Sequence, residues 1–225
     1  MSNEEKKEKK PVDCLLLCLE NREWQSVNLN ELYLKSKYRN KQISLEEQEQ
    51  LVQSAPGVCT YGGFGEDRSD IWKGFEKDAR KMTHLGIDIN NLYPGDQVFA
   101  LDDCQVVHVL RDRTPHNGWG ERLILKNRSV CPKYPYLLLG HLIFDRVPRE
   151  GDRFKKGYEV GLIADGKHNG GWFPHLHVQM MSEKMMKAFE NKLDELDGYH
   201  FTKTIDQLSD WVTDPTPYVF EFEKK

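Results

Sequence analysis

The chain has 225 residues, of which 38% are hydrophobic and 30% charged, and its net charge is −4. That length allows one sizeable core, or one domain with an appendage, and the composition is polar without being of disordered type. The slight acidity gives no hint of nucleic-acid binding, and no apolar run reaches the ~18 residues that a membrane span requires.

Residues 1–11 begin Met-Ser-Asn-Glu-Glu-Lys-Lys-Glu-Lys-Lys and read as a solvated, disordered tail. An apolar run, Val12 to Leu19, follows. It is short, Glu20 and Arg22 come at once after it, and no small-residue cleavage site is present, so it is predicted to be a buried helix or strand and not a secretory signal. Residues 12–55 are expected to form a mostly helical N-terminal extension. Within it Ser44 is a predicted N-cap, with Glu47 completing a capping box and Ile43 placed for a staple contact; the helix should stop before Pro56-Gly57. The glycine density of Thr60 to Arg68 predicts a loop.

Thr83-His84-Leu85-Gly86-Ile87-Asp88-Ile89-Asn90 alternates strictly, which predicts a half-buried strand with His84, Gly86 and Asp88 on one face. Gly86 leaves room for a close approach to the backbone. Gln105–Leu110 and Glu121–Lys126 read as strands, joined by a loop, Arg111 to Gly120, that holds His116. His108 and His116 are read as non-catalytic. Tyr136 to Ile143 is an apolar run plausible as a central strand, and a lone histidine in such a strand, His141, ordinarily reads as a satisfied core residue.

Asp165 to Trp172 is a glycine-rich loop leading into Pro174-His175-Leu176-His177-Val178-Gln179. Pro174 suits the first residue of a strand. On that strand His175 and His177 share a face, with Leu176 and Val178 opposite. A bare His-x-His is as often a pair of surface histidines as a functional pair. Imidazole nevertheless binds zinc and carries protons. Together with His84 and Asp88, a histidine of this strand completes a His, Asp, His set, and three protein ligands with an open fourth position is how a catalytic zinc is held. Ser182 is a plausible N-cap for a helix over residues 182–197, whose Met185, Met186, Phe189, Leu193 and Leu196 make a packing face before Gly198 ends it. Trp211 to Phe222 is expected to pack back on the domain.

In order and rough spacing, His84-x-x-x-Asp88, Gly140-His141-Leu142 and His175-x-His177 resemble the lysostaphin-type, LytM-like zinc peptidases of the duplicated-hybrid-motif fold. The resemblance covers about residues 60–180. It implies a mainly β fold, an antiparallel β-sandwich with peripheral helices, with the peptidase domain at 56–181 and a C-terminal helix and packed tail at 182–225. It implies one zinc ion held by His84, Asp88 and His177, with His141 and His175 as the non-ligand catalytic histidines. Zinc lowers the pKa of a bound water toward ~7, and the two histidines can move a proton and stabilise the oxyanion. Trp172, with Phe173, could line a substrate groove or pack at the strand entrance. Arg68 could bind a substrate carboxylate or pair with Asp67 or Asp70.

The expected activity is a zinc-dependent endopeptidase or amidase using a metal-bound hydroxide, with a peptide of peptidoglycan type as the family's default substrate. A non-catalytic binding module that retains the fold is the alternative, and a zinc hydrolase of another small amide or ester is a third reading. Cys14, Cys18, Cys59, Cys104 and Cys131 are odd in number and lack a Cys-x-x-Cys pair, so reduced thiols and a cytoplasmic location are the simpler expectation. Nothing in the residues bears on oligomeric state.

Overall fold

Strand alternation and short glycine turns dominate the chain, and the computed structural model is accordingly mostly β. It describes residues 23–39, 44–53, 58–71, 82–112, 118–129 and 131–220. The predicted N-terminal tail, the Val12–Leu19 run, Ile43, Cys14, Cys18 and His116 lie outside them.

In chain order the elements are β1 (Glu23–Ser26), α1 (Leu29–Lys35), α2 (Leu45–Val52), β2 (Val58–Gly62), β3 (Thr83–His84), β4 (Ile87–Ile89), β5 (Gln97–Phe99), β6 (Cys104–Asp112) and β7 (Gly120–Lys126). There follow β8 (Tyr136–Ile143), β9 (Arg153–Phe154), β10 (Glu159–Ile163), β11 (Leu176–Met181), α3 (Glu183–Ala188), β12 (Tyr199–His200), β13 (Val212–Thr213) and α4 (Thr216–Val219). No described helix is long and apolar enough to cross a membrane.

Eleven of the described strands join one sheet, with a main path β1-β2-β4-β11-β8-β7-β6-β9; β5 and β10 attach beside β8, and β13 pairs with β11. The pairings are antiparallel except β1 with β2, which run parallel. The N-terminal extension, expected to be mostly helical, therefore also contributes a strand to the main sheet. β2 likewise runs into the stretch expected to be loop, because Cys59 and Thr60 are fully buried and the chain pairs with β1 through Tyr61 and with β4 at Tyr61 and Gly62.

Two further expectations need correcting. His84 and Asp88 do not share one continuous strand: β3 and β4 are separated at Leu85-Gly86, and β3 pairs with β12 while β4 pairs with β11. The helix expected over 182–197 ends at Ala188, where Phe189 caps it, and a 3-10 turn at Leu193–Glu195 follows. Met185, Met186 and Leu196 are still buried in one cluster, so the apolar spacing marked a packing face without requiring one helix. Ser182 does cap that helix, accepting from the Met185 N–H.

β11 is buried along its whole length between β4 and β8. Leu176 and Val178 enter the main core with Ile87, Ile89 and Leu139. Its other face carries His177 and Gln179. In register, His177 lies opposite Asp88 on one side and Gly140 on the other, so three strands bring the motif residues into one row.

Candidate metal centre

Two residues of β8, Gly140 and His141, stand against Arg122 alone on β7, because the pairing shifts between Glu121 opposite Leu142 and Leu123 opposite Leu139. This is a bulge, a device that re-aims a side chain. His141 takes a left-handed backbone, with φ at +64°. The strand break at Gly86 has a different cause. A Cβ there would meet the Val178 carbonyl oxygen at 2.4 Å and His177 Nε2 at 2.7 Å, so only glycine lets β11 close on this segment. His175 lies just before β11, as does Pro174, which was expected to be the first strand residue.

These placements converge on three donor atoms. His84 Nε2 and His177 Nδ1 are 3.1 Å apart, His177 Nδ1 and Asp88 Oδ1 are 3.1 Å apart, and His84 Nε2 and Asp88 Oδ1 are 3.4 Å apart. A tetrahedral zinc with bonds of about 2.0–2.1 Å separates its ligand atoms by about 3.3 Å. Among the described residues this is the group of three side chains placed to hold a metal ion.

The remaining polar atom of each ligand is engaged. His84 Nδ1 faces the Gly63 carbonyl at 3.0 Å, so that nitrogen carries the proton and leaves Nε2 as a lone pair. His177 Nε2 faces Gln179 Oε1 at 3.2 Å, which fixes the opposite tautomer and leaves Nδ1 free. Asp88 Oδ2 accepts from Arg68 Nη1 at 2.7 Å, leaving Oδ1 for the metal. The donor set and its outer partners thus fit a divalent cation of zinc type.

His141 and His175 stand beside this triangle, with ring centroids 4.2 Å apart. His141 Nδ1 faces the Asn169 carbonyl at 3.3 Å and His175 Nδ1 faces the Phe173 carbonyl at 2.8 Å, so each presents Nε2 to the cavity. His175 Nε2 lies 4.0 Å from Asp88 Oδ1. Burial pushes the His84 imidazole down to about 4, and burial likewise lowers His141, reinforced by its histidine neighbours, and His175. Each shift favours the uncharged imidazole, the form that could ligate a metal or accept a proton. Burial alone would raise the Asp88 carboxyl, but His84 and Arg68 beside it hold it well below the usual range.

Arg68 is buried. It gives Nε to Glu66 and Nη1 to Asp88, each at 2.7 Å, and Nη1 also reaches the Tyr199 hydroxyl at 3.1 Å. The expectation from sequence was a substrate carboxylate, or pairing with Asp67 or Asp70. The observed partners make Arg68 a support that orients Asp88. Trp172 lines the cavity, donates its indole N–H to the Gly118 carbonyl at 2.9 Å, and packs with Phe173 against Leu29, Tyr33 and Val52. His108 pairs with Glu150 and His168 with Asp165, both away from the triangle.

Three participants escaped the sequence reading. Gln179 continues the His175, His177 alternation on the same face, a signal that was available. Trp119 stacks on His141 at 12° and sets its edge against His177, and Tyr199 packs 5.2 Å from His84. Neither of the last two belongs to a motif, and each arrives through long-range pairing.

No protein-family model matches the chain, and no curated protein does. Among solved structures the chain is similar to the catalytic domain of lysostaphin from Staphylococcus simulans, with 20% identity, 61% of this chain and 79% of that one covered, and a TM-score of 0.40. It is similar to LytU, with 18% identity, 64% and 77% covered, and a TM-score of 0.41. It is similar to a zinc-containing peptidase from Vibrio cholerae, with 24% identity, 44% and 27% covered, and a TM-score of 0.35. One of these solved structures is thus a lysostaphin catalytic domain, from the family whose motifs the sequence resembles. The functional reading rests on the side-chain geometry above and not on this likeness.

Proposed function

We propose that the chain is a zinc-dependent endopeptidase or amidase that hydrolyses a peptide bond, with a peptide of peptidoglycan type as the first substrate class to try. The observation that carries this reading is the donor triangle: three lone pairs within 3.4 Å of one another, each fixed by a partner on its far side, beside two neutral histidines. His84, Asp88 and His177 would hold a zinc ion, which would supply a Lewis acid able to acidify a water at neutral pH.

The chain's own residues do the rest. His141 and His175 each bring an uncharged Nε2, one to take a proton from the attacking water and one to hydrogen-bond the oxygen that gains charge. Arg68 keeps Asp88 turned toward the metal. Trp119 and Trp172 help to wall a cavity of about 130 Å³. A reduced, cytoplasmic chain of this kind would act on a peptide that reaches that compartment.

The test is hydrolysis of a quenched-fluorescent peptide library against a panel of non-peptide amides and esters. Peptide cleavage that disappears in both His141→Ala and His177→Ala supports the reading. Cleavage confined to non-peptide substrates moves the site to another hydrolase class. Bound zinc without any hydrolysis leaves a binding module.

A further inference from the structure

Away from the metal triangle, the same cavity is lined by two side-chain amides that are nearly fully buried, Gln48 at 1% exposure and Asn90 at 3%. Gln48 Nε2 and Asn90 Oδ1 have no hydrogen-bond partner among the described residues. Buried polar atoms are normally matched, and leaving one unmatched carries a desolvation cost. One of the two is a donor and the other an acceptor.

The segments that carry them meet at one residue. The Thr60 hydroxyl donates to the Val52 carbonyl at 2.7 Å, one helical turn beyond Gln48 on α2, and the Thr60 carbonyl accepts from the Asn90 N–H at 2.8 Å. The wall around them is apolar, with Val27, Leu29, Val52 and Met82 lining the same cavity. Neither amide belongs to the metal-ligand or histidine set, and Gln48 comes from the N-terminal extension.

We propose that Gln48 and Asn90 form a subsite that reads the backbone of the substrate: Gln48 Nε2 donates to a peptide C=O, and Asn90 Oδ1 accepts from a peptide N–H. An extended residue offers that pair of groups on one side, as it does to a neighbouring antiparallel strand. An apolar wall with no added charge selects a neutral peptide backbone over a charged side chain at this position. The inference rests on the peptidase reading and assigns part of the peptide's binding energy to the extension.

The probe is acetyl-Gly-Gly-Gly-amide, which offers backbone amides and no side chains. Its dissociation constant is measured by titration calorimetry on the full-length, zinc-loaded chain and on Gln48→Met and Asn90→Leu, which keep the side-chain size and remove the amide. Each variant should bind roughly tenfold more weakly, the change expected for one buried neutral hydrogen bond. Zinc content should be unchanged and thermal stability equal or higher, because the unmatched atom is gone. Unchanged affinity in both variants, as expected if water alone serves these amides, overturns the subsite. So does a wild-type chain that fails to bind the probe at millimolar concentration. The two readings fail separately. Gln48-dependent binding without any peptide cleavage leaves the subsite standing and removes the peptidase. Cleavage with full affinity in both variants does the reverse.

Discussion

Gln179 Oε1 holds His177 Nε2 at 3.2 Å, and that one contact determines which nitrogen of His177 faces His84 and Asp88. Gln179 is fully buried. Gln179→Leu keeps the packing volume and removes the acceptor, so His177 loses its tautomer lock. Zinc affinity should fall by about 10- to 100-fold, as for other outer partners of a ligating histidine. Competition with a chromogenic chelator reads this directly, and an unaltered affinity would mean that the strand alone orients the ring.

The closeness of β11 to Gly86 makes a second expectation. Gly86→Ala puts a Cβ against the backbone oxygen of Val178, which has no rotamer to yield, so the strand pair must separate. A loss of about 1–3 kcal/mol in urea unfolding, together with weakened zinc binding, is expected. Gly95→Ala is the control. Its Cβ enters open space, but its φ of +89° strains any side chain, so it should cost about 1 kcal/mol and leave zinc affinity alone.

His141 combines a ring that faces the cavity with a left-handed backbone. His141→Ala removes the ring and keeps the strain, whereas His141→Gly removes both. Both variants should lose hydrolysis and retain zinc, and the glycine variant should be the more stable by roughly 0.5–1 kcal/mol. Equal stability would show that the bulge carries no conformational cost.

Burial, aided by Asp102 and Asp103, pushes the Cys104 thiol up to about 12. The unfolded thiol ionises near ~8.5. Because the folded value is the higher one, the thiol's contribution to stability is fully present below about pH 8.5 and is lost as pH rises toward 12. Alkylation of Cys104 by iodoacetamide at pH 8 should be about tenfold or more slower in the folded than in the urea-unfolded chain. Cys104→Ala should flatten the alkaline loss of stability. Peptide mapping by mass spectrometry and urea midpoints against pH check the two.

The sequence made the local periodicities legible. An apolar run located β8, alternation located the polar face of β11, and Ser44 and Glu47 form the expected capping box on α2. The interruption at Gly86 was not legible, because the alternation continues through it and only the approach of Val178 breaks the strand. The end of α3 was hidden for a similar reason, since Leu196 keeps the apolar spacing from a 3-10 segment's far side. Arg68 was read as a carboxylate binder or a partner of Asp67 or Asp70; its pairing with Glu66 is local, while its pairing with Asp88 depends on β4 docking beside the loop. Trp119 and Tyr199 reach the centre only through tertiary pairing, which no local pattern encodes.

The most direct measurement is elemental analysis of the chain purified without chelator or added metal, beside His177→Ala and His141→Ala. About one zinc per chain in the wild type and in His141→Ala, with none in His177→Ala, is the expected result. Metal lost in His141→Ala but kept in His177→Ala would invert the roles of ligand and catalytic histidine. A wild-type chain that binds no zinc even when it is offered would contradict the metal centre itself.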